Sequence, residues 1–179
     1  MSSKIDAKTD MPGTPGTESL DARMRAFLQG ECVLADLYEL SHEELYVIAE
    51  EGCRLFESGQ LATAQKVFEG LTVLDPYESH FHTGLGTLYQ KQGNLEGARI
   101  EFDRALALDV YDLAALCNRA EVLLQQGQFA EAAADLQRIA ELDPQARHGH
   151  GRRARGIALV LGSMVHQARE QAQRSQAHL

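Results

Sequence analysis

The sequence predicts an all-α fold, a superhelix of stacked helix pairs, and three observations predict it. Apolar residues recur at three- and four-residue spacing from Leu20 onward, which is the period of a helix and not of a strand. From Leu45 the chain can be written in three ungapped rows of 34 residues whose small and large residues coincide. Each row also carries a single glycine, Gly59, Gly93 or Gly127, between two helix-length segments.

The rows justify the elements in order. The first, from Leu45, holds Gly52, Gly59, Ala64, Phe68, Leu71, Leu74, Asp75 and Pro76. The second, from Ser79, holds Gly86, Gly93, Ala98, Phe102, Ala105, Leu108 and Asp109, with Val110 where the others have proline. The third, from Leu113, holds Ala120, Gly127, Ala132, Leu136, Ile139, Leu142, Asp143 and Pro144. A small residue at the eighth place, a turn glycine, alanine at the twentieth place and a large residue at the twenty-fourth form the tetratricopeptide pattern. The small residues let two helix axes approach without side-chain collision.

A helix pair of this kind cannot bury its apolar face alone, so the ends of the stack need covers. Residues 19–44 are expected to cover the front with helices broken at Gly30. Ser41 and Glu44 form a capping box at the start of the next helix. Residues 45–144 form the three repeats. Residues 145–179 are expected to supply a basic C-terminal capping helix and tail, with Ala154, Ile157, Ala158, Leu161 and Val165 on its apolar side and a break at Arg147–Gly151. Residues 1–18, rich in Ser, Thr, Gly, Pro and Lys, bury too little to offset ordering and read as a disordered leader.

Composition narrows function. Within 179 residues, 44% of them hydrophobic, there is room for one sizeable core but no apolar run long enough to span a membrane, and the opening residues lack a signal-peptide centre. A cytoplasmic protein without membrane insertion is expected. The net charge of −9 opposes nucleic acid, whose recognition draws on Lys and Arg neutralising phosphates. The charge is uneven: residues 147–179 hold six arginines against Glu170, whereas residues 1–146 hold 11 basic and 25 acidic residues. This basic tail is expected to contact acidic client or subunit surfaces. Cys32, Cys53 and Cys117 lack paired spacing and read as reduced thiols filling small spaces.

No catalytic or cofactor constellation emerges, and neither a metal nor a cofactor is expected. His80 and His82 point about 200° apart on a helix and cannot jointly face one ion, so both read as surface or groove residues. His148 and His150 sit beside glycines at a junction. Asp109, Asp112, Glu141 and Asp143 fall at helix ends and read as solvated helix breakers. Gly84-Leu85-Gly86 lies within a helix, not after a strand, and is a packing feature.

What remains is a concave surface. In each first helix, places 4, 7, 8 and 11 pack inward and places 2, 5, 9 and 12 form a stripe along the inner curve. That stripe reads Tyr46, Ala49, Cys53 and Phe56, then His80, Thr83, Thr87 and Gln90, then Ala114, Cys117, Glu121 and Leu124. Two arrangements are open for its first part: Tyr46 and Phe56 line a peptide groove, or the front helices cover them.

From Phe27 to Asp109 the segments FLQG, LADLYELSHEELY and FESGQLATAQKVFEGLTVLDPYESHFHTGLGTLYQKQG resemble the tetratricopeptide translocator chaperones of type III secretion systems. The resemblance implies a small chaperone that holds a hydrophobic exported client by an extended segment, without a chemical reaction. By position it implies that Tyr46, Phe56, His80, Thr83 and Tyr89 touch the peptide. It also implies that Phe27, Leu28, Leu34 and Leu37 meet a second subunit in a homodimer. The alternative is a general tetratricopeptide adaptor in another bacterial complex. The clamp that other members use for C-terminal peptides needs Lys and Asn where this chain has Ala49, Cys53, Gly84 and Ala114, with only Asn118 nearby.

Overall fold

The computed structural model describes residues 19–176, all of whose regular elements are helices. The expected leader, residues 1–18, lies outside them. In order the helices are α1 (Leu20–Gln29), α2 (Leu34–Leu37), α3 (His42–Glu57), α4 (Leu61–Leu74), α5 (Ser79–Lys91), α6 (Leu95–Leu108), α7 (Leu113–Gln125), α8 (Phe129–Leu142) and α9 (Gly149–Gln176). Three antiparallel pairs, α3–α4, α5–α6 and α7–α8, are the three rows.

Local chemistry sets their ends. Gly59, Gly93 and Gly127 hold φ of 79°, 81° and 77°, the left-handed conformation that strains a residue with a Cβ. Ser41 accepts from the Glu44 amide at 3.2 Å while Glu44 accepts from the Ser41 amide at 2.8 Å, the reciprocal capping expected of that pair. Asp112, which caps the start of α7, and Asp143, which closes α8, are not the solvated breakers expected: both are buried. Asp143 accepts from the amides of Arg147 and His148 at 2.8 and 2.9 Å. Asp112 accepts from the amides of Ala114 and Ala115 and from the Thr83 hydroxyl at 2.8 Å. Their carboxylates replace water at helix starts that stacking has covered.

Within a pair, the eighth place of the first helix meets the twenty-fourth place of the row. A Cβ on Gly52 would come within 2.7 Å of the Phe68 ring, and one on Gly86 within 2.7 Å of Phe102. The third row pairs Ala120 with Leu136 at the same places, both buried. Large rings face no side chain, and a methyl faces a smaller residue.

The pairs then stack asymmetrically. First helices touch one another, α3 with α5, α5 with α7 and α7 with α9, whereas α4, α6 and α8 do not touch one another among the described residues. The second helices splay on the outside, and the first helices line the inner curve. Two core clusters result, one around Phe68 and Phe81 and one around Phe102 and Leu116, with Tyr89 packed against both.

Expectations for the ends need correction. Of the two front helices, α2 packs on α4 and places Ala35 in the core, but α1 packs on α2 alone and leaves Leu20, Met24 and Leu28 exposed. At the back, α9 starts at Gly149, inside the expected break, and behaves as the first helix of a fourth row. Ala154 falls at its eighth place and is buried, with Ile157 and Leu161 packed beside it. Leu161 stands where the other rows have the turn glycine, and the helix runs on. Ala158 and Val165 are exposed instead of covering the back.

His82, read as a surface or groove residue, is buried where the other rows have Ile48 and Leu116. Its Nδ1 lies 2.8 Å from a Glu101 carboxylate oxygen and its Nε2 3.0 Å from the Pro76 carbonyl oxygen. Acceptors face both nitrogens, so the doubly protonated ring fits. The Glu101 hydrogen bond raises the His82 pKa against the opposing effect of burial.

Two outcomes follow from this packing. Gly86→Ala is expected to lose about 1 to 2 kcal/mol by crowding Phe102, and Phe102→Leu about 1 kcal/mol or more by opening a cavity. The double variant, which copies Ala120 and Leu136, should lose less than the sum; strict additivity in urea denaturation would show that the pair is not coupled. Because the folded-state pKa of His82 is raised, its contribution is complete below the ordinary histidine pKa of about 6.5 and disappears as pH rises through the raised value. The stability difference between the native chain and His82→Leu should therefore shift in favour of the variant as pH climbs through that window.

Candidate functional site

A groove of about 1060 Å³ runs along the inner curve, walled by α3, α5 and α7, floored by Phe68 of α4, and ended by α9. The sequence places α3, α5 and α7 there because their inward places carry the packing residues and leave the adjacent stripe bare. Of the expected stripe, Tyr46, Ala49, Cys53, Phe56, His80, Thr83, Thr87, Gln90, Ala114 and Glu121 line it. The front helices do not cover its first part. Tyr46 stays 37% exposed, and α1 reaches no helix but α2.

Three expected residues do not line the groove. Cys117 is fully buried and shares a core cluster with Ala154, because α9 packs on α7 over that place. Tyr89 sits at a packing place; its hydroxyl donates to Glu69 at 3.3 Å on α4, away from the inner curve. Leu124 is likewise absent from the lining, and on α7 the groove takes Asn118 and Gln125, one place further along. The notion of cysteines filling small spaces holds for Cys117, whereas Cys53 lies exposed in the groove, its thiol pKa raised by burial and by Glu57 and Glu50.

The two ends of the groove differ in chemistry. At α3 and α5, Tyr46 and Phe56 present aromatic surface over a floor of Phe68, Phe81 and Leu88, which are buried in the core. The Tyr46 ring lies 5.7 Å from that of Phe81, and burial followed by the Glu78 charge raises its phenol pKa. Glu78 caps α5 and binds both His80, at 2.8 Å, and His42, at 3.1 Å. Burial opposes its ionisation, and these hydrogen bonds outweigh burial and lower its pKa.

At α7 and α9 the groove becomes a polar network. Asn118 donates to the Thr87 hydroxyl at 3.1 Å, Thr87 donates to the Thr83 carbonyl at 2.8 Å, and Arg153 donates to Asn118 at 3.2 Å. Arg153 also forms a two-pronged ion pair with Glu121, which itself accepts from Gln90 at 3.2 Å. Burial, then the Arg153 charge, lowers the His150 pKa and favours its neutral form. Sequence reasoning missed Asn118, His150 and Arg153 as wall residues. The signal was present: the 34-residue period continued from Arg147 places Ala154 at an eighth place, which makes α9 a lining helix.

The groove carries hydrogen-bond donors and apolar pockets on one continuous surface. It can hold an extended chain by its backbone and by apolar side chains. Among the described residues no group of three or more histidine, cysteine or acidic side chains is placed to hold a metal ion, and no helix is long and apolar enough to cross a membrane.

A tetratricopeptide repeat family profile matches residues 50–112, 83–147 and 117–175. The last match extends into α9, in keeping with its place as a fourth first helix. Low calcium response locus protein H of Yersinia pestis is 33% identical over 123 residues, 69% of this chain and 73% of that protein. Among solved structures, a type III secretion complex from Aeromonas hydrophila matches with a TM-score of 0.70 at 26% identity, over 82% of this chain and 97% of that one. The Yersinia enterocolitica type III secretion chaperone SycD, in complex with a peptide of the translocator YopD, matches with a TM-score of 0.59 at 28% identity, over 73% of this chain and 96% of that one.

Proposed function

Since the chain belongs to the tetratricopeptide-repeat family of type III secretion translocator chaperones, we propose that it holds an extended segment of a hydrophobic exported client in the groove, in the cytoplasm, without catalysing a reaction. The observation that carries this reading is the open aromatic end of the groove. Tyr46 and Phe56 offer apolar surface, backed by the buried rings of Phe68 and Phe81, to anchors that would otherwise face water. Burial of each large anchor contributes about 1.5 to 3 kcal/mol, enough for a few anchors to set a useful affinity. The polar network at α7 supplies hydrogen-bonding partners for the client backbone, whose amides and carbonyls leave water on entry.

Release fits the same surface. The floor of the groove, Phe68, Phe81 and Leu88, is held by the core of the stack itself, so the groove can empty without unfolding it. The front helices carry the self-association implied for Phe27, Leu28, Leu34 and Leu37. Leu28 is 76% exposed, and the other three are only half-buried.

Tyr46→Ala and Phe56→Ala are each expected to weaken binding of a client segment about tenfold to a hundredfold while leaving the far-ultraviolet circular dichroism unchanged. Titration of a fluorescently labelled translocator peptide measures this; unchanged affinity in both variants would remove the groove as the binding site.

A further inference from the structure

The α7 wall of the groove ends at Gln125, the thirteenth place of its row, just before the chain turns at Gly127. The α9 wall has no such turn. It runs for 28 residues, about 42 Å, against 13 residues for α7. Among the described residues, Leu161 is the last of α9 that packs against a core cluster. A second helix would cover the remainder if the row continued as the others do. The places that hold Ala64, Phe68 and Leu71 in the first row hold His166, Glu170 and Gln173 in the fourth, so this half of α9 lacks the packing face of a second helix. His166 and Glu170 instead pair with each other at 3.1 Å along the helix.

What this half exposes continues the groove. His150 and Arg153 line the groove from α9. Val160 and Met164 follow Arg153 by seven and eleven residues, which at 3.6 residues per turn puts both within about 20° of it around the helix axis. They are 60 and 59% exposed. Val160 stands at the fourteenth place of its row and Met164 at the eighteenth, so the strip they form starts level with the end of the α7 wall and runs past it. His166 and Glu170 lie about 100° or more away from that face. The overhang, residues 162–176, carries two arginines against Glu170 and is close to neutral. The inner curve thus has three zones: aromatic across α3 and α5, hydrogen-bonding around Asn118 and Arg153, and aliphatic along the far half of α9.

We propose that the client does not end its contact at Arg153: a second, aliphatic stretch of the same client docks on Val160 and Met164. This rests on the reading of the groove as the client site and narrows the class of client to one with two apolar stretches joined by a spacer. Continuity decides the occupant, because a chain that leaves the groove past Arg153 on the same face of α9 runs directly onto the strip. Neighbouring helix axes stand about 10 Å apart, so the path from α3 to α9 is about 30 Å. An extended chain covers that with about nine residues at about 3.3 Å each. The aliphatic stretch therefore lies about ten to fourteen residues from the anchors held at Tyr46 and Phe56. Between them the spacer crosses the Asn118 and Arg153 network, which suits backbone amides and carbonyls better than apolar side chains. The second contact is intramolecular once the first has formed, so even a small aliphatic surface adds to affinity.

The test titrates the full chain with fluorescently labelled peptides of one translocator: the segment that binds the groove, and the same segment lengthened by about fifteen residues at one end or the other. One of the two lengthened peptides should bind the native chain at least about tenfold more tightly than the short one. Val160→Asp and Met164→Asp, both at exposed positions outside the core, should each remove most of that gain and leave the affinity of the short peptide unchanged. Tyr46→Ala should weaken the short and long peptides alike. If neither lengthened peptide gains, or if the gain survives both aspartate substitutions, the α9 contact is overturned while the groove reading stands. If Tyr46→Ala and Phe56→Ala leave the short peptide unaffected, the groove reading fails and the α9 contact falls with it. Light scattering of the unliganded chain covers the other occupant: a Met164→Asp variant that loses mass relative to the native chain, yet keeps the gain of the long peptide, makes the strip a contact between copies and overturns the proposal.

Discussion

The close approach of two helices at the eighth place of each row governs the rest of this structure. Gly52 against Phe68 and Gly86 against Phe102 let a ring lie on bare helix backbone, and Ala120 against Leu136 makes the same fit with the volume divided differently. Interiors pack at crystal-like density, so a methyl gained on one side must be given up on the other. The pairing fixes how far apart α3 and α4, α5 and α6, and α7 and α8 stand. It then fixes how the next pair can sit, since Phe68 also lies against the backbone of Gly84 on α5.

Curvature follows from that spacing. First helices contact each other across the stack and second helices do not, so the first helices form the tighter inner arc. The groove is the bare side of that arc. Its aromatic end coincides with the two rows that use glycine and phenylalanine, and its polar end with the row that uses alanine and leucine. Polar groups covered by the stacking are satisfied within it: Asp112 holds two backbone amides of α7 and the Thr83 hydroxyl, and His82 sits between Glu101 and the Pro76 carbonyl. Of these contacts, Thr83 to Asp112 and His82 to the Pro76 carbonyl tie one row to the next, whereas His82 to Glu101 joins the two helices of one pair.

Much of this is legible in the residues. Helix type, the 34-residue period, the turn glycines, the Ser41–Glu44 cap and ten of the twelve stripe residues can be read without the fold, because each is written in local spacing. The departures share a cause. Register alone puts Cys117 on the stripe, and polarity alone puts Asp112, Asp143 and His82 at the surface. For these four a neighbouring element covers the side chain, whereas Ala158, Val165 and the apolar residues of α1 lack a neighbour that was expected; in neither case does a local pattern name the neighbour.

The sequence alone therefore determined what repeats: the helical period, the small and large residues that must face each other, the position of each turn, and the acidic body with its basic tail. These depend on interactions among residues within one row, where distance along the chain is distance in space. The tertiary structure decided what the rows do to one another. It opened the groove between helices 34 residues apart, made α9 its end wall, and left α1 and the second half of α9 exposed at opposite ends of the stack. Burial and contact between rows depend on how rigid helix pairs stack, and that geometry is a property of the assembled core that no single window of sequence contains.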